Sequence, residues 1–303
     1  MADTVVVTSA VSGRGGAAAG VRRPAGGARG RAHRGRRTAA RRVLRLIAVG
    51  YVVALVALPV VTIAWHTFAH GLGPVLDVLG GEDFLAAARL GAFVAVASVV
   101  INTVFGVGIS ILLARYRFPG RRLLNAVIDL PVSVSPVVIG VALVLVYGRT
   151  GWLGRGLEAH GVQIVFATPG IVLATVIVAL PLVVREVVPV LEEAGIEQDQ
   201  AAQSLGASAG QRFVRITLPT IRWALAYGVV LSLARSLGEF GAVRVVSGSV
   251  AGQSQTPTLF VNDSYAEFGP AAEQAGFTAA FALMLTSVVF IVLIAWLRPK
   301  ERA

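Results

Sequence analysis

The chain has 303 residues, 55% of them hydrophobic and only 14% charged, a balance too apolar for a water-soluble domain and typical of a protein that crosses a membrane several times. It contains no cysteine, which excludes disulfides, thiolate metal ligands and cysteine nucleophiles. The formal net charge is +11, but it is concentrated in the first 45 residues, so it does not describe a basic nucleic-acid-binding face on a folded domain.

Residues 1–42 are rich in Gly, Ala and Arg and lack periodicity, which predicts a disordered cytoplasmic tail whose partner is membrane lipid, the anionic inner leaflet, rather than nucleic acid. The run ArgArgValLeuArgLeu at 41–46 has the form of a twin-arginine export signal. The apolar stretch after it is longer than a signal-peptide core of about 7 to 15 residues, and no small-residue cleavage site follows, so it reads as an uncleaved anchor. Six stretches then reach the roughly 20 residues needed to cross a hydrocarbon core: Val43–Trp65, Leu90–Ala114, Leu123–Tyr147, Phe166–Val188, Arg222–Val246 and Ala275–Leu297. Lipid offers no partner to backbone polar groups, so runs of this length must be helices. The predicted fold is all-α, a membrane domain over 43–297 with six transmembrane helices, followed by a short cytoplasmic tail at 298–303.

Orientation follows from the basic residues. Eleven lie between Arg14 and Arg45, four in the second loop (Arg115, Arg117, Arg121, Arg122), four around the loop at 191–221 (Arg185, Arg212, Arg215, Arg222) and three at the C-terminus (Arg298, Lys300, Arg302). The opposite loops hold only Arg89, Arg149 and Arg155. The positive-inside rule then places both termini and the 191–221 loop in the cytoplasm, in a multi-pass protein of the cytoplasmic membrane.

That loop is a polar insert between the fourth and fifth spans, reading EEAGIEQDQAAQSLGASAGQRFVRITLPTI from Glu192. Pro189 can open a helix whose first turns hold Glu192, Glu193, Glu197 and Asp199, charges that suit a positive helix end. Gly206 suits the left-handed position that ends a helix. Ser208 with Gln211 three residues on forms a capping box for a second helix, and Pro219 predicts the next boundary. An ordinary solvated hairpin would account for this much, but not for Ala201 and Ala202, paired small residues that permit close approach of another protein.

Charged side chains inside an apolar span cost about 2.5 to 3.5 kcal/mol each at its centre on insertion scales. In the fifth span Arg235 and Glu239 are four residues apart and can pair on one helical face. They suit either a structural ion pair between helices or a functional site within the membrane. Gly238 and Gly241 beside them permit close helix packing, and Asp129 before Pro131 suits a helix-end or interhelical role. The only lysine is Lys300, with no glycine-rich turn before it, so the chain has no P-loop and no ATP site of that kind. His66 and His70 have helical spacing and could share a face, but neither they nor His33 and His160 belong to a metal-ligand set; no metal, cofactor or catalytic residue is expected.

The offsets of the loop sharpen this reading. Gln200, Ala201 and Ala202, then Gly206 six residues after Gln200, then Ile216, Leu218 and Pro219, resemble the EAA motif of binding-protein-dependent ABC importer permeases. GlyGluPheGly at 238–241 is similar to a segment of sulfate and molybdate permeases, and ValValSerGly at 245–248 resembles the CysW-type sulfate/thiosulfate permeases. IleAspLeuProValSerValSerProVal at 128–137, ValValArgGluValValPro at 183–189 and ArgTrpAlaLeuAlaTyrGlyVal at 222–229 resemble the same group, so the likeness runs from about Phe84 to Leu297.

The resemblance implies a type I ABC importer permease fold. It also implies a CysT-type permease partner, a dimer of CysA-type ATPase subunits that uses ATP and Mg, and an extracytoplasmic sulfate-binding protein facing the outer loop from Ser247 to Gln274. Gln200 to Gly206 would dock on the ATPase, with Ile216, Leu218 and Pro219 fixing the exit into the fifth span. Gln200 stands where the motif has glutamate; it keeps length and hydrogen bonding but not charge. Sulfate, thiosulfate, molybdate and other oxyanions remain open as cargo. A secondary transporter would carry its own ion site and often an inverted repeat, and a channel a selectivity filter; neither is visible.

Overall fold

The computed structural model describes residues 29–297, with side chains from Leu44 to Trp296. All regular structure among the described residues is helical. Within the arginine-rich segment read as a tail, residues 29–42 are helical and belong to the first helix, α1 (Arg29–Phe68). Arg and Ala are among the better helix formers and extend a helix that an apolar segment has already nucleated. Residues 1–28 and the tail 298–303 lie outside the described residues.

The chain divides into residues 1–59 and 60–303. The described part of the first is α1 alone, which is apolar from Leu44 onward. In the second, the end of α1 is followed by α2 (Gly73–Gly80), α3 (Glu82–Arg115), α4 (Arg121–Ser133), α5 (Pro136–Tyr147) and α6 (Gly154–Ala159). Then come α7 (Thr168–Ala194), two short loop helices α8 (Glu197–Ser204) and α9 (Ala209–Arg212), α10 (Leu218–Leu237), α11 (Gly241–Val246), α12 (Pro257–Ala266) and α13 (Pro270–Leu297). Five helical segments are long and apolar enough to cross a membrane, and α4 with α5 makes a sixth if a broken span is counted.

The principal packing seam joins α3 to α7, and α10 lies against both. Val107 of α3, Val183, Val187 and Leu191 of α7 and Ile221 of α10 form one buried cluster. A second gathers Val94, Ile139, Leu143, Ile171, Val178, Val243, Val246 and Leu259 from α3, α5, α7, α11 and α12. Polar side chains are buried along the same seam: Ser98 donates to the Val172 carbonyl at 3.4 Å, and Asn102 to the Ser232 hydroxyl at 3.4 Å. Small and hydroxylated residues suit helix contacts in lipid, where close van der Waals approach and interhelical hydrogen bonds replace the hydrophobic effect.

Two predicted spans are not continuous. The third, Leu123–Tyr147, breaks between α4 and α5, which are inclined at 115°. Val134 and Ser135 are extended there, with ψ of 141° and 134°. Pro136 disfavours a helical conformation for the residue before it and then serves as the first residue of α5. The fifth, Arg222–Val246, stops at Leu237 and resumes at Gly241. The second loop helix, α9, ends at Arg212, and Pro219 stands in the first turn of α10, at the predicted boundary. A π-helical stretch, Phe213–Thr217, carries α9 directly into α10, so that Leu218 N–H donates to the Phe213 carbonyl and the wider turn accommodates the ring of Pro219. Pro189, predicted to open a helix, instead lies inside α7, which continues to Ala194.

The two broken spans meet where α5 packs on α11, and a glycine makes that possible. A Cβ on Gly140 would lie 2.8 Å from both the Ala242 carbonyl oxygen and Val245 Cβ, and the backbone atom cannot step aside. Gly140→Ala is expected to destabilise the detergent-solubilised protein by about 1–3 kcal/mol through overpacking. Gly108→Ala is its control: that Cβ would meet nothing within 4 Å, and alanine is the better helix former by up to about 1 kcal/mol. Thermal unfolding of the two variants should therefore move the midpoint in opposite directions.

Candidate functional site

The 191–221 loop is a compact helical hairpin fastened at several points. α7 ends at Gly195, whose φ of +68° turns the chain. α8 then starts with Glu197 and Asp199 in its first turn, where the dipole favours carboxylates. Asp199 forms an ion pair with Arg115, the last residue of α3, and both side chains are mostly buried, at 15% and 12% exposure. Arg121 at the start of α4 pairs with Glu192 at 2.8 Å. Glu192 and Glu193 thus lie in the last turn of α7 rather than in the first turn of a new helix, and the Arg121 charge offsets the unfavourable placement of Glu192.

α8 ends in a Schellman motif. Gly206 has φ of +82°, its N–H donates to the Gln203 carbonyl at 3.0 Å, and Ala207 N–H to the Ala202 carbonyl at 3.0 Å; both bonds satisfy carbonyls that a helix end leaves open. The capping box opens α9 as the sequence predicts: Gln211 N–H donates to Ser208 Oγ at 3.3 Å and Ser208 N–H to Gln211 Oε1 at 2.9 Å. Arg212 reaches back across the turn to Gln203 Oε1 at 3.0 Å, tying α9 to α8.

This geometry sorts the predicted residues by face. Gln200, Ala201 and Gly206 are exposed, whereas Ala202 is half-buried on the side that carries Asp199. The alanine pair is therefore divided between an outward and an inward position. Ile216 and Leu218 are half-buried and Pro219 is exposed, flanking the buried Thr217 and Ile221. The outward residue that the motif did not single out is Leu205, 89% exposed at the tip of the hairpin. Ile196 and Val214 are exposed in the same loop. The signal for Leu205 was present in its neighbours: it is the one large apolar side chain between Glu197 and Gly210.

At the break of the fifth span, Arg235 Nη1 lies 2.6 Å from Glu239 Oε2. The pair expected from sequence forms, although Glu239 sits just past the end of α10 rather than on it. The Glu239 side chain is 1% exposed and that of Arg235 is 37% exposed. Glu239 Oε1 accepts from Ala242 N–H at 2.9 Å, and the Glu239 carbonyl from Thr258 Oγ1 at 2.9 Å. One carboxylate therefore caps α11 and holds a guanidinium of α10, which satisfies backbone that the interruption would leave open. Asp129 has the interhelical role predicted for it, accepting from Arg185 of α7 at 2.9 and 3.1 Å.

Beyond α11 the chain folds around Asp263 of α12. Its carboxylate accepts from Ser249 at 2.5 Å, Gln255 at 2.8 Å and Asn262 at 3.2 Å, and pairs with Arg244 at 3.1 Å. Burial pushes the Asp263 carboxyl upward, but the three hydrogen bonds and the Arg244 charge outweigh it and hold the group below the usual carboxylate range. The predicted polar outer loop is thus an ordered segment whose Leu259 is fully buried. His66 stacks on Phe277 with ring centroids 4.5 Å apart, and His70 meets Gln274 at 3.3 Å. Among the described residues no group of three or more His, Asp or Glu is placed to hold a metal ion.

Comparison with known proteins agrees with this architecture. Residues 106–303 match the family described as binding-protein-dependent transport system inner membrane component. The chain is 45% identical over 251 residues to the sulfate transport system permease protein CysW of Synechocystis sp., covering 83% of this chain and 90% of that one. It is 34% identical over 241 residues to the sulfate transport system permease protein CysT of Escherichia coli K12, covering 78% and 87%. In fold it is similar to a chain of a bacterial alginate ABC transporter in complex with an alginate pentasaccharide-bound periplasmic protein, with a TM-score of 0.69 over 88% of this chain and 95% of the other at 15% identity. The helical order, the broken spans and these matches together make the chain a multi-pass membrane protein of the binding-protein-dependent transport system inner membrane component family, with the fold of an ABC importer permease.

Proposed function

We propose that the chain is the membrane-spanning permease subunit of an ATP-driven importer that carries sulfate or thiosulfate across the cytoplasmic membrane by alternating access. The observation that carries the coupling part is the α8 hairpin: a rigidly tied element that offers Leu205 and Ala201 outward from an otherwise polar loop. The likeness to sulfate permeases over most of the chain supports the cargo. The distribution of arginine supports a cytoplasmic position for the hairpin and both termini.

In this reading ATP and Mg belong to a partner. A dimer of CysA-type ATPase subunits receives the segment Gln200 to Gly206, Leu205 entering an apolar cleft and Ala201 allowing the helix to lie close. A CysT-type permease completes the pathway, and a sulfate-binding protein delivers the anion on the far side. When ATP draws the ATPase subunits together, the hairpin moves with them. Asp199 pulls on Arg115 at the foot of α3, and α9 pulls through the π-helical stretch on α10. Ile216, Leu218 and Pro219 define that exit. The force thereby enters two of the helices that form the main packing seam. Gln200 contributes hydrogen-bonding capacity without a charge.

Three outcomes are expected. Vesicles holding the four-component complex should take up radiolabelled sulfate only with ATP and the binding protein; competition by molybdate, thiosulfate and phosphate defines the cargo, and uptake without the ATPase would refute the coupling. Leu205→Asp should weaken co-purification of the ATPase roughly ten- to a hundredfold, since burying a leucine is worth about 1.5–3 kcal/mol. Gly206→Glu should strain the left-handed position by about 1–3 kcal/mol and uncouple ATP hydrolysis from uptake while leaving the spans folded, as read by circular dichroism. Normal uptake in Gly206→Glu would contradict the docking role.

A further inference from the structure

From Arg235 to Gly248 the chain has a buried side and an open one. Ser236, Glu239, Ala242, Val243 and Val246 are buried, whereas Gly238, Phe240, Arg244 and Gly248 are exposed and Arg235 is partly so. By helical rise Arg235 lies about 20 Å beyond Arg222 at the start of the span, within the thickness of a membrane. A face bearing two arginines and two glycines does not suit lipid, because charged side chains at membrane depth face protein or a water-filled cavity.

The two arginines are held in the same manner. Each uses Nη1 for one carboxylate, Glu239 at 2.6 Å and Asp263 at 3.1 Å. Each carboxylate is the more buried member of its pair, 1% against 37% exposed in the first and 26% against 46% in the second. The Arg185–Asp129 pair, which joins α7 to α4, leaves its two members about equally exposed, at 50% and 51%. Here Glu239 is enclosed and Asp263 partly so, and both are fixed by further hydrogen bonds, while Nε and Nη2 of both arginines have no partner among the described residues.

We propose that Arg235 and Arg244 are successive contact points for a divalent tetrahedral oxyanion passing through the membrane, and that Glu239 and Asp263 are positioning residues for their guanidinium groups. The inference rests on the reading of the chain as an oxyanion permease. A guanidinium presents a rigid fork of donors to a tetrahedral oxyanion. Pairing each with a carboxylate leaves a nearly neutral site, attractive enough for the anion to enter and weak enough for it to leave, as a pathway requires. A Cβ on Gly238 would meet only carbonyl oxygens of its own helix, at 3.6 and 4.0 Å, which leaves room beside Arg235 for an ion. Arg244 lies nearer the binding protein, so the anion meets it first, crosses the break at Gly238–Phe240 and then meets Arg235.

The test uses the complete reconstituted complex with radiolabelled sulfate and measures sulfate imported per ATP hydrolysed. Arg235→Gln and Arg244→Gln should each lower this ratio about tenfold or more, as expected for losing a charge-assisted hydrogen bond, and lysine at either position should recover part of it. Arg149→Gln, whose guanidinium pairs with Glu158 at 2.8 Å and takes no part in either pair, should leave the ratio unchanged. Glu239→Gln should lower the ratio less than Arg235→Gln, and the double variant should be no worse than Arg235→Gln alone, because the acid acts through the arginine; Asp263→Asn should relate to Arg244 in the same way. A ratio equal to that of the unaltered complex in both arginine variants overturns this inference and leaves the permease reading standing. Absence of sulfate uptake by the unaltered complex overturns both.

Discussion

The seam between α3 and α7 is the constraint on which the rest of the molecule depends. In lipid an apolar side chain gains little by leaving its surroundings for another helix, so the seam must be held by close approach and by polar contacts. Gly106 brings α3 so near α7 that a Cβ there would sit 2.8 Å from Val183 Cγ1. Ser98 and Asn102 add hydrogen bonds to α7 and α10 from the same face. Because α3 ends at Arg115 and α7 ends at Gly195, the seam also fixes the two anchors between which the α8 hairpin hangs.

Interrupted helices impose the opposite constraint. Backbone groups freed by a break cannot be left to lipid, and the fifth span meets this with Glu239, whose two carboxylate oxygens serve the next helix and an arginine of the previous one. The third span uses extended residues before Pro136 and packs its second half on α11. Both interruptions lie within one local arrangement, with Gly241 close enough to Pro136 that a Cβ would be 3.1 Å from its ring. The irregular part of the membrane domain is thus concentrated rather than scattered.

Much of this was legible in the sequence, and the pattern of what was not has a physical origin. Apolar length alone located every span, because the thickness of the hydrocarbon core sets it. The cap at Gly206 and the box at Ser208 and Gln211 were readable because their chemistry is local to a few residues. Pro189 was misread for the converse reason, since it lies inside α7, whereas Pro219 stands at the start of α10. Whether a proline ends a helix depends on neighbouring helices and on adjustments such as the π turn, which no short window contains. The 115° turn after Ser133 was hidden because the two halves together are apolar enough for one span, and the stop at Leu237 because Arg235 and Glu239 were read as a pair on one continuous helical face. Leu205 was overlooked among polar residues because its exposure is a property of the folded hairpin, and Asp263 because its partners come from residues 244 to 262.

The π-helical stretch at Phe213–Thr217 has a consequence for angular phase. A π turn holds one residue more than the α turn it replaces, and each residue of an α-helix turns the chain by about 100°. The stretch therefore works as a phase adjuster between the part of the helix that begins at the Ser208 cap and the part that carries Arg235. The orientation of the hairpin and the direction in which Arg235 points are set independently, each by its own packing, and the wide turn absorbs the mismatch. One added residue in an otherwise regular helix lets two surfaces with unrelated demands share a single rod.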